Sequence, residues 1–292
     1  MRAMRCELMS RGLAPQGIKT LDQDVHNTKN AFGGNILDKK KIAEKFQLPS
    51  KGEVLYFAGC YPFFRDPEKR AEKTLLVLRN AKINVSFLAE KEWCCGILQY
   101  ANGNEELCKE MAMHNLEVIK ASGAEIVITS CSGCFHALKH VYPRVVQEEP
   151  FFQVLHTSQY FSQLIEDKLL EFKHEVPLTV TYHDPCHLGR MCKIYDEPRK
   201  LINHIPGITL VEMARIREKA WCCGGGEGIV SLLYPKLAAG IGNERILEAQ
   251  ATGASSLVTA CPHCIAQLTF SAKRSKIQLP CMDIAELLAS AL

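Results

Sequence analysis

The sequence has no long apolar run and little net charge. Its 292 residues are 47% hydrophobic and 23% charged, and the formal net charge is +3. A bilayer-spanning helix needs about 18 or more apolar residues in succession, and no stretch approaches that length. Arg2, Arg5 and Arg11 lie near the N-terminus, but no apolar core of a signal peptide follows them. We therefore expect a cytoplasmic protein without direct membrane insertion and without a nucleic-acid partner.

Cysteine, by contrast, is abundant, with 14 residues in the chain. Because no export signal is present, these thiols should stay reduced and serve metal or redox chemistry. Ten of them form two sets of five with similar spacing, and each set consists of a single cysteine, a Cys-Cys-Gly and a Cys-x-x-Cys. The sets are Cys60, Cys94, Cys95, Cys131, Cys134 and Cys186, Cys222, Cys223, Cys261, Cys264. The segments that precede Cys131 and Cys261 also match, which indicates a duplicated domain.

Each half shows short β-rich runs that alternate with helical periodicity. Strands are predicted over 54–57, 83–88, 126–129, 178–183, 208–213 and 257–259, and helices over 68–79, 105–121, 198–204 and 234–251. Strands separated by helices imply parallel sheets, in which ligands gather beyond the carboxyl ends of the strands. The predicted fold class is therefore α/β, with two tandem duplicated half-domains of short parallel sheets flanked by helices and related by pseudo-two-fold symmetry.

The domain boundaries are predicted from the same patterns. They are an N-terminal arm over 1–51, a first Cys-Cys-Gly domain over 52–145, a linker over 146–177 and a second Cys-Cys-Gly domain over 178–292. The arm is rich in polar residues and glycine and is expected to be extended. The linker is expected to be mostly helical, and a closing helix is expected over 283–292.

Five thiols in each set are more than one ordinary metal site needs. Thiolates are soft ligands that select zinc or iron–sulfur clusters. A structural zinc ion or a cubane cluster takes four thiolates, so one would be left over. Adjacent cysteines have Cα atoms only about 3.8 Å apart, which suits two metal atoms in one cluster, or a bridging thiolate, better than two corners of one tetrahedron. The remaining four cysteines are more simply packing or surface thiols.

The two cysteine sets resemble the CCG domains of heterodisulfide reductases, where these domains form either a separate subunit or the C-terminal half of a longer one, and those of related sulfur-oxidation complexes. The resemblance covers roughly residues 52–270 and includes the segment 183–190 around Cys186. It implies two non-cubane 4Fe-4S clusters held by the ten cysteines, with zinc as an alternative in one copy, here the first. It also implies an oxidoreductase acting on sulfur groups, which reduces or forms a substrate disulfide as part of a complex.

Two other functions remain open at this point. The chain is also similar to the electron-transfer CCG subunits of flavin-dependent glycolate and lactate oxidases, and two zinc-stabilised domains would make a non-catalytic scaffold. The chain lacks the Cys-x-x-Cys-x-x-Cys-x-x-x-Cys motif of ferredoxins. We therefore expect a ferredoxin-like iron–sulfur subunit and a flavoprotein subunit as partners, beside a thiol or disulfide substrate, with the arm as a docking segment.

Polar residues near the second cysteine set are candidates for catalysis. His183 and His187 flank Cys186 and could protonate a leaving thiolate, or could cap backbone groups instead. Arg190 and, in the first half, Arg65 could meet an anionic thiol substrate or could simply be solvated. Because two histidines, Arg190 and the run of glycines at 224–226 surround only the second set, we expect the second copy to be the catalytic one.

Overall fold

The computed structural model describes residues 2–31, 37–60 and 69–292. Arg65 lies outside the described residues. The chain divides into two compact units, of which the first contains the described residues 2–31, 37–60, 84–129 and 133–155, and the second contains 69–83, 130–132 and 156–292. Each unit is built around its own sheet.

The sheet of the first unit contains four strands in the order β2-β1-β3-β4. They are β1 (Val54–Tyr56), β2 (Val85–Ser86), β3 (Ile126–Thr129) and β4 (Gln153–His156). Strand β1 pairs in parallel with both β2 and β3, with Val54 opposite Val85 and Ile126. Strands β1 to β3 consist mainly of aliphatic residues and are almost entirely buried, as expected of a parallel sheet covered on both faces.

The sheet of the second unit repeats this order as β6-β5-β7-β8. Its strands are β5 (Leu178–His183), β6 (Ile208–Leu210), β7 (Ser256–Thr259) and β8 (Cys281–Asp283). Strand β5 pairs in parallel with β6 and β7, and β7 pairs in parallel with β8. The prediction of an α/β fold with two tandem parallel sheets flanked by helices is therefore confirmed.

Fourteen α-helices surround the sheets in the described part of the chain. They are α1 (Arg2–Ser10), α2 (Gln16–Thr28), α3 (Leu37–Phe46), α4 (Arg70–Asn80), α5 (Ile97–Asn102), α6 (Glu105–Ser122), α7 (Ser132–His136), α8 (Tyr142–Val146), α9 (Thr157–Glu166), α10 (Asp196–His204), α11 (Ile229–Leu233), α12 (Pro235–Gln250), α13 (Pro262–Arg274) and α14 (Ile284–Ser290). Among these residues, no helix is long and apolar enough to span a membrane.

The N-terminal segment is not extended as the sequence predicted. It forms α1, α2 and α3 and belongs to the first unit. Helix α2 buries Ile18, Leu21 and Val25 on one face, and this spacing is that of an amphipathic helix. The prediction was wrong because many polar residues separate these few apolar ones. The segment predicted as a helical linker likewise contains both α9 and the unpredicted strand β4.

The cysteines lie where strands end and helices begin. Strand β3 ends directly before Cys131, and α7 then carries Cys134. In the second unit β7 ends before Cys261, and α13 carries Cys264. Cys223, Cys261 and Cys264 pack in the hydrophobic core of the second unit with apolar residues such as Ile246, Leu257 and Leu268. In the second unit, Cys223, Cys261 and Cys264 are therefore packed against apolar side chains near the carboxyl end of β7.

Candidate metal centre

Four thiols of the first set lie together in the first unit. The thiol of Cys60 hydrogen-bonds that of Cys94, which in turn hydrogen-bonds that of Cys95. The Sγ atom of Cys134 lies only 2.8 Å from the position that a Cβ atom would occupy at Gly59. Gly59 has φ +78°, so a glycine is needed there both for the backbone conformation and for the approach of this sulfur.

A buried ion pair joins helix α3 to the loop that precedes Cys94. The Lys39 Nζ atom lies 2.6 Å from Oε1 of Glu92, and the two side chains are 1% and 0% exposed. The Glu92 carboxylate also accepts hydrogen bonds from the backbone N–H groups of Ala58 at 3.0 Å and Gly59 at 2.8 Å. Glu92 therefore holds the backbone directly before Cys60. In the sequence, Glu92 itself lies two residues before Cys94.

A second buried polar group supports the same site from α6. The side-chain oxygen of Asn115 accepts a hydrogen bond from the backbone of Trp93 at 3.0 Å, and its nitrogen donates to the carbonyl of Cys94 at 3.1 Å. The same nitrogen donates to the Tyr142 hydroxyl at 2.9 Å. Burial, and then the neighbouring Cys95, raise the pKa of Tyr142. This hydroxyl therefore stays protonated beside the cysteines.

The five thiols of the second set form one continuous chain of hydrogen bonds. It runs in the order Cys186, Cys222, Cys223, Cys264 and Cys261. Hydrogen bonds from Cys186 and Cys223 lower the pKa of Cys222. Hydrogen bonds from Cys131 and Cys264 likewise lower the pKa of Cys261. The hydrogen bonds thus favour the thiolate form, which is the metal-binding form, at Cys222 and Cys261.

Cys131 has a different neighbourhood from the rest of the first set. It is grouped with the second unit, where its thiol hydrogen-bonds that of Cys261. The cysteine spacing predicts that Cys131 belongs to the first set. Spacing cannot reveal a contact between Cys131 and Cys261, because these two residues are equivalent positions in different halves of the chain. The assignment of Cys131 to the first set stays a prediction.

His183 lies against the second set as the last residue of β5. One of its ring nitrogens lies within 4.8 Å of the sulfurs of Cys223 and Cys264. The Nε atom of Arg245, on α12, donates a hydrogen bond to His183 Nδ1 at 3.1 Å. Burial and this neighbouring cation lower the pKa of His183 to about 3. His183 is therefore a neutral imidazole, whose neighbours are thiols.

Of the other two catalytic candidates, His187 is buried and Arg190 is exposed. His187 Nε2 lies 2.9 Å from Oε1 of Glu227, which has φ +58° within the run of glycines. His263 is partly buried and interacts electrostatically with both of these residues and with Cys222. Arg190 is exposed at the end of the short helical turn that begins at His187. The structure thus brings the two histidines close to the cysteines and leaves the arginine in solvent.

Glycines allow the Cys-Cys-Gly loop to approach its neighbours. Gly224 has φ +95°, and a Cβ atom there would lie 2.2 Å from the carbonyl oxygen of Ala238. A Cβ atom at Gly225 would lie 2.5 Å from Nε2 of His263. These two glycines therefore allow the loop to pack closely against α12 and His263.

A buried carboxylate anchors the segment between β5 and Cys186. Asp184 accepts two hydrogen bonds from the Arg199 guanidinium, at 2.7 Å and 2.9 Å, and a third from the backbone N–H of Arg217. Arg199 also binds Glu212. Sequence reasoning missed this network, and it missed Lys39, Glu92, Asn115 and Arg245. A charged residue on the apolar face of a helix, such as Arg245 on α12, was the available signal.

The donor sets fit a soft metal. Each site is lined by several mutually hydrogen-bonded thiols among buried apolar residues, and thiolates in such surroundings bind zinc or iron–sulfur clusters. Within the described residues, Nε2 of His183 is buried beside the second set without a hydrogen-bond partner. A bound group that presents sulfur would satisfy it. The residues therefore fit the clusters that the cysteine pattern predicts.

Subunits of known oxidoreductases are similar to this chain in sequence. One subunit of the dihydromethanophenazine:CoB–CoM heterodisulfide reductase of Methanosarcina mazei is 34% identical over 295 residues, which cover 99% of this chain and 72% of that protein. One subunit of the fumarate reductase (CoM/CoB) of Methanothermobacter marburgensis is 31% identical over 290 residues, which cover 99% of this chain and 55% of that protein.

A solved structure agrees on the fold alone. A hypothetical protein from Helicobacter pylori matches with a TM-score of 0.60 at 13% identity, covering 87% of this chain and 53% of that chain. The model of the cysteine-rich CCG domain matches this sequence twice, over residues 54–139 and 180–269. Each copy contains one complete cysteine set and overlaps three strands of one sheet, and the chain belongs to the CCG cysteine-rich domain family.

Proposed function

We propose that the chain is the iron–sulfur catalytic subunit of a heterodisulfide-reductase-like complex, in which it reduces or forms a substrate disulfide at the second cysteine set. The relatives support this proposal, since one is named for a CoB–CoM heterodisulfide reductase and the other for CoM and CoB. Because relatives with different whole-protein activities share the domain, the choice of site depends on this chain's own residues.

The exposure of its cysteines is the observation that favours the second set as the catalytic site. Cys186 and Cys222 are partly exposed, whereas all five cysteines of the first set are buried. A substrate sulfur has to reach a metal site in order to react there. Glu92 and Asn115 hydrogen-bond the backbone around the buried first set. We propose that the first set serves electron transfer or binds a structural metal, which could be zinc instead of iron.

The proposed reaction balances with two electrons and two protons. Reduction of a disulfide takes up both and yields two thiols, and formation of a disulfide releases both. A non-cubane 4Fe-4S cluster held by the second set would exchange the electrons with the substrate. A ferredoxin-like subunit and a flavoprotein subunit are the proposed partners that supply or accept these electrons.

Residues of the chain would handle the protons and the substrate charge. His187 is the proposed proton donor to a leaving thiolate, because it is paired with Glu227 and flanks the partly exposed Cys186. Arg190, exposed on the same turn, is proposed to meet an anionic group of the substrate. His183 is the weaker candidate for proton transfer, since its Nδ1 already accepts from Arg245.

Anaerobic purification of the full complex tests this proposal. We expect iron and acid-labile sulfide in the chain, and a paramagnetic signal that appears when the oxidised protein meets a thiol substrate. Zinc alone at both sites, or iron–sulfur clusters that never respond to any thiol or disulfide while the complex oxidises a hydroxy acid, would contradict it.

A further inference from the structure

The side chain of His183 is held in one orientation by a cation. It lies at the end of β5 and is 1% exposed. Nδ1 accepts from Arg245 Nε at 3.1 Å. In the described part of the chain, Nε2 is buried and makes no hydrogen bond. Nδ1 is thus occupied by Arg245, whereas Nε2 could interact with a group bound among the thiols of the second set.

Arg245 is itself fixed by further contacts. It is 0% exposed, and its NH1 atom donates to Glu248 Oε2 at 2.9 Å and to the carbonyl of Arg215 at 2.8 Å. Glu248 also accepts from the backbone N–H of Arg215. A guanidinium that is paired with a carboxylate on one side can present only N–H groups on the other. Arg245 therefore remains a donor to His183.

The hydrogen bond decides which ring nitrogen carries the proton. A guanidinium has donors and no acceptor, so His183 Nδ1 must offer its lone pair. A neutral imidazole carries one N–H, which is then at Nε2. A nitrogen that carries a proton has no lone pair for a metal. His183 is therefore a donor to the second site and not a ligand of it.

The first half has different residues at the two equivalent sequence positions. His183 stands three residues before Cys186, and Phe57 stands three residues before Cys60. Arg245 and Asn115 stand at the same distance before the repeated Ala-x-Gly-Ala segments. The imidazole and the guanidinium thus occur together in the second half, and the first half has neither at these positions.

We propose that His183 donates its Nε2–H to a sulfur of the cluster at the second site and raises the reduction potential of that cluster, with Arg245 as the residue that positions His183. Hydrogen bonds to cluster sulfur stabilise the more negative, reduced state. The inference rests on the proposed function only in requiring an iron–sulfur cluster at the second set.

The test is a redox titration of the intact complex, followed by paramagnetic resonance, with three variants. His183→Phe copies the first half and removes the donor. We expect the equilibrium constant for one-electron reduction of the second cluster to fall about tenfold, which corresponds to 59 mV. Arg245→Asn should also lower this equilibrium constant. The double variant should differ little from His183→Phe, because both substitutions act through one hydrogen bond.

His183→Gln is the matched control, since its amide presents an oxygen to Arg245 and an N–H to the cluster. It should restore most of the potential, and the potential of the first cluster should stay constant in all variants. A second cluster whose potential is unchanged in His183→Phe would overturn this inference alone. Loss of iron in His183→Phe that His183→Gln does not restore would show a ligand and also overturn it. Zinc without iron at the second set would overturn both this inference and the proposed function.

Discussion

Lys39 and Glu92 form a fully buried ion pair, with Nζ and Oε1 2.6 Å apart. The pair joins a helix of the N-terminal segment to the loop that precedes Cys94. Because the Glu92 carboxylate also accepts from the backbone of Ala58 and Gly59, the N-terminal segment is a structural component of the first site.

Lys39→Met should lower the free energy of unfolding of the first unit by about 3–5 kcal/mol, because it leaves a buried carboxylate without its partner. Lys41→Met, on the same helix, removes an exposed pair with Asp38 and should cost no more than about 1 kcal/mol. Anaerobic urea unfolding of the metal-loaded protein measures both. Equal effects of the two substitutions would contradict the role assigned to Lys39.

Gly224→Ala should disrupt the second site. The added methyl group meets the carbonyl oxygen of Ala238 at 2.2 Å, and φ +95° disfavours any L side chain. We expect loss of metal from the second set, measured by iron content. Gly240→Ala is the control within α12, because its methyl group meets nothing within 4 Å and should stabilise the helix by up to about 1 kcal/mol. Retention of metal in Gly224→Ala would contradict the close packing.

Cys223→Ser and Cys95→Ser should have different consequences. A serine hydroxyl is a harder and less acidic ligand than a thiol. Cys223→Ser should abolish both the thiol-induced paramagnetic signal and disulfide-dependent activity. Cys95→Ser should reduce stability and electron transfer more than substrate binding, since metal binding contributes to folding free energy. If Cys95→Ser loses the substrate-dependent signal while Cys223→Ser keeps it, the first site is the catalytic one.

His156 makes the stability of the second unit depend on pH. Its Nδ1 accepts the backbone N–H of Ser158 at the start of α9, and burial lowers its pKa to about 4 from 6.5. The unfolded chain binds the proton more tightly, so this contribution is complete above pH 6.5 and is lost as the pH falls towards 4. At pH 5 the cost should be about 2 kcal/mol.

His156→Asn keeps a capping oxygen without a titrating group. The difference in free energy of unfolding between this variant and the parent should therefore change between pH 7 and pH 5, as followed by anaerobic denaturant titration. A difference that is constant over this range would show that His156 is not held neutral.

The sequence alone determined the duplication, the repeated spacing of the cysteines, the α/β class and most strands. These features are local, since apolar runs, glycines and Cys-x-x-Cys spacings are patterns of residues that lie close together in the sequence. The strands β3 and β5 begin and end as predicted. Strands β4 and β8, with four and three residues, were missed because so few positions carry a weak pattern.

Only the tertiary structure decided which side chains support the cysteines. Lys39 and Glu92 are 53 residues apart in sequence, and His183 and Arg245 are 62 apart. Such pairs form when a helix packs beside the end of a strand, and no local periodicity encodes which polar residue will meet which. The helical N-terminal segment has the same cause, because packing of a few apolar residues against the first unit outweighed its polar composition. Burial then lowered the pKa of His183, and hydrogen bonds from neighbouring thiols lowered the pKa of Cys222, since a side chain's pKa depends on neighbours that only the fold assembles.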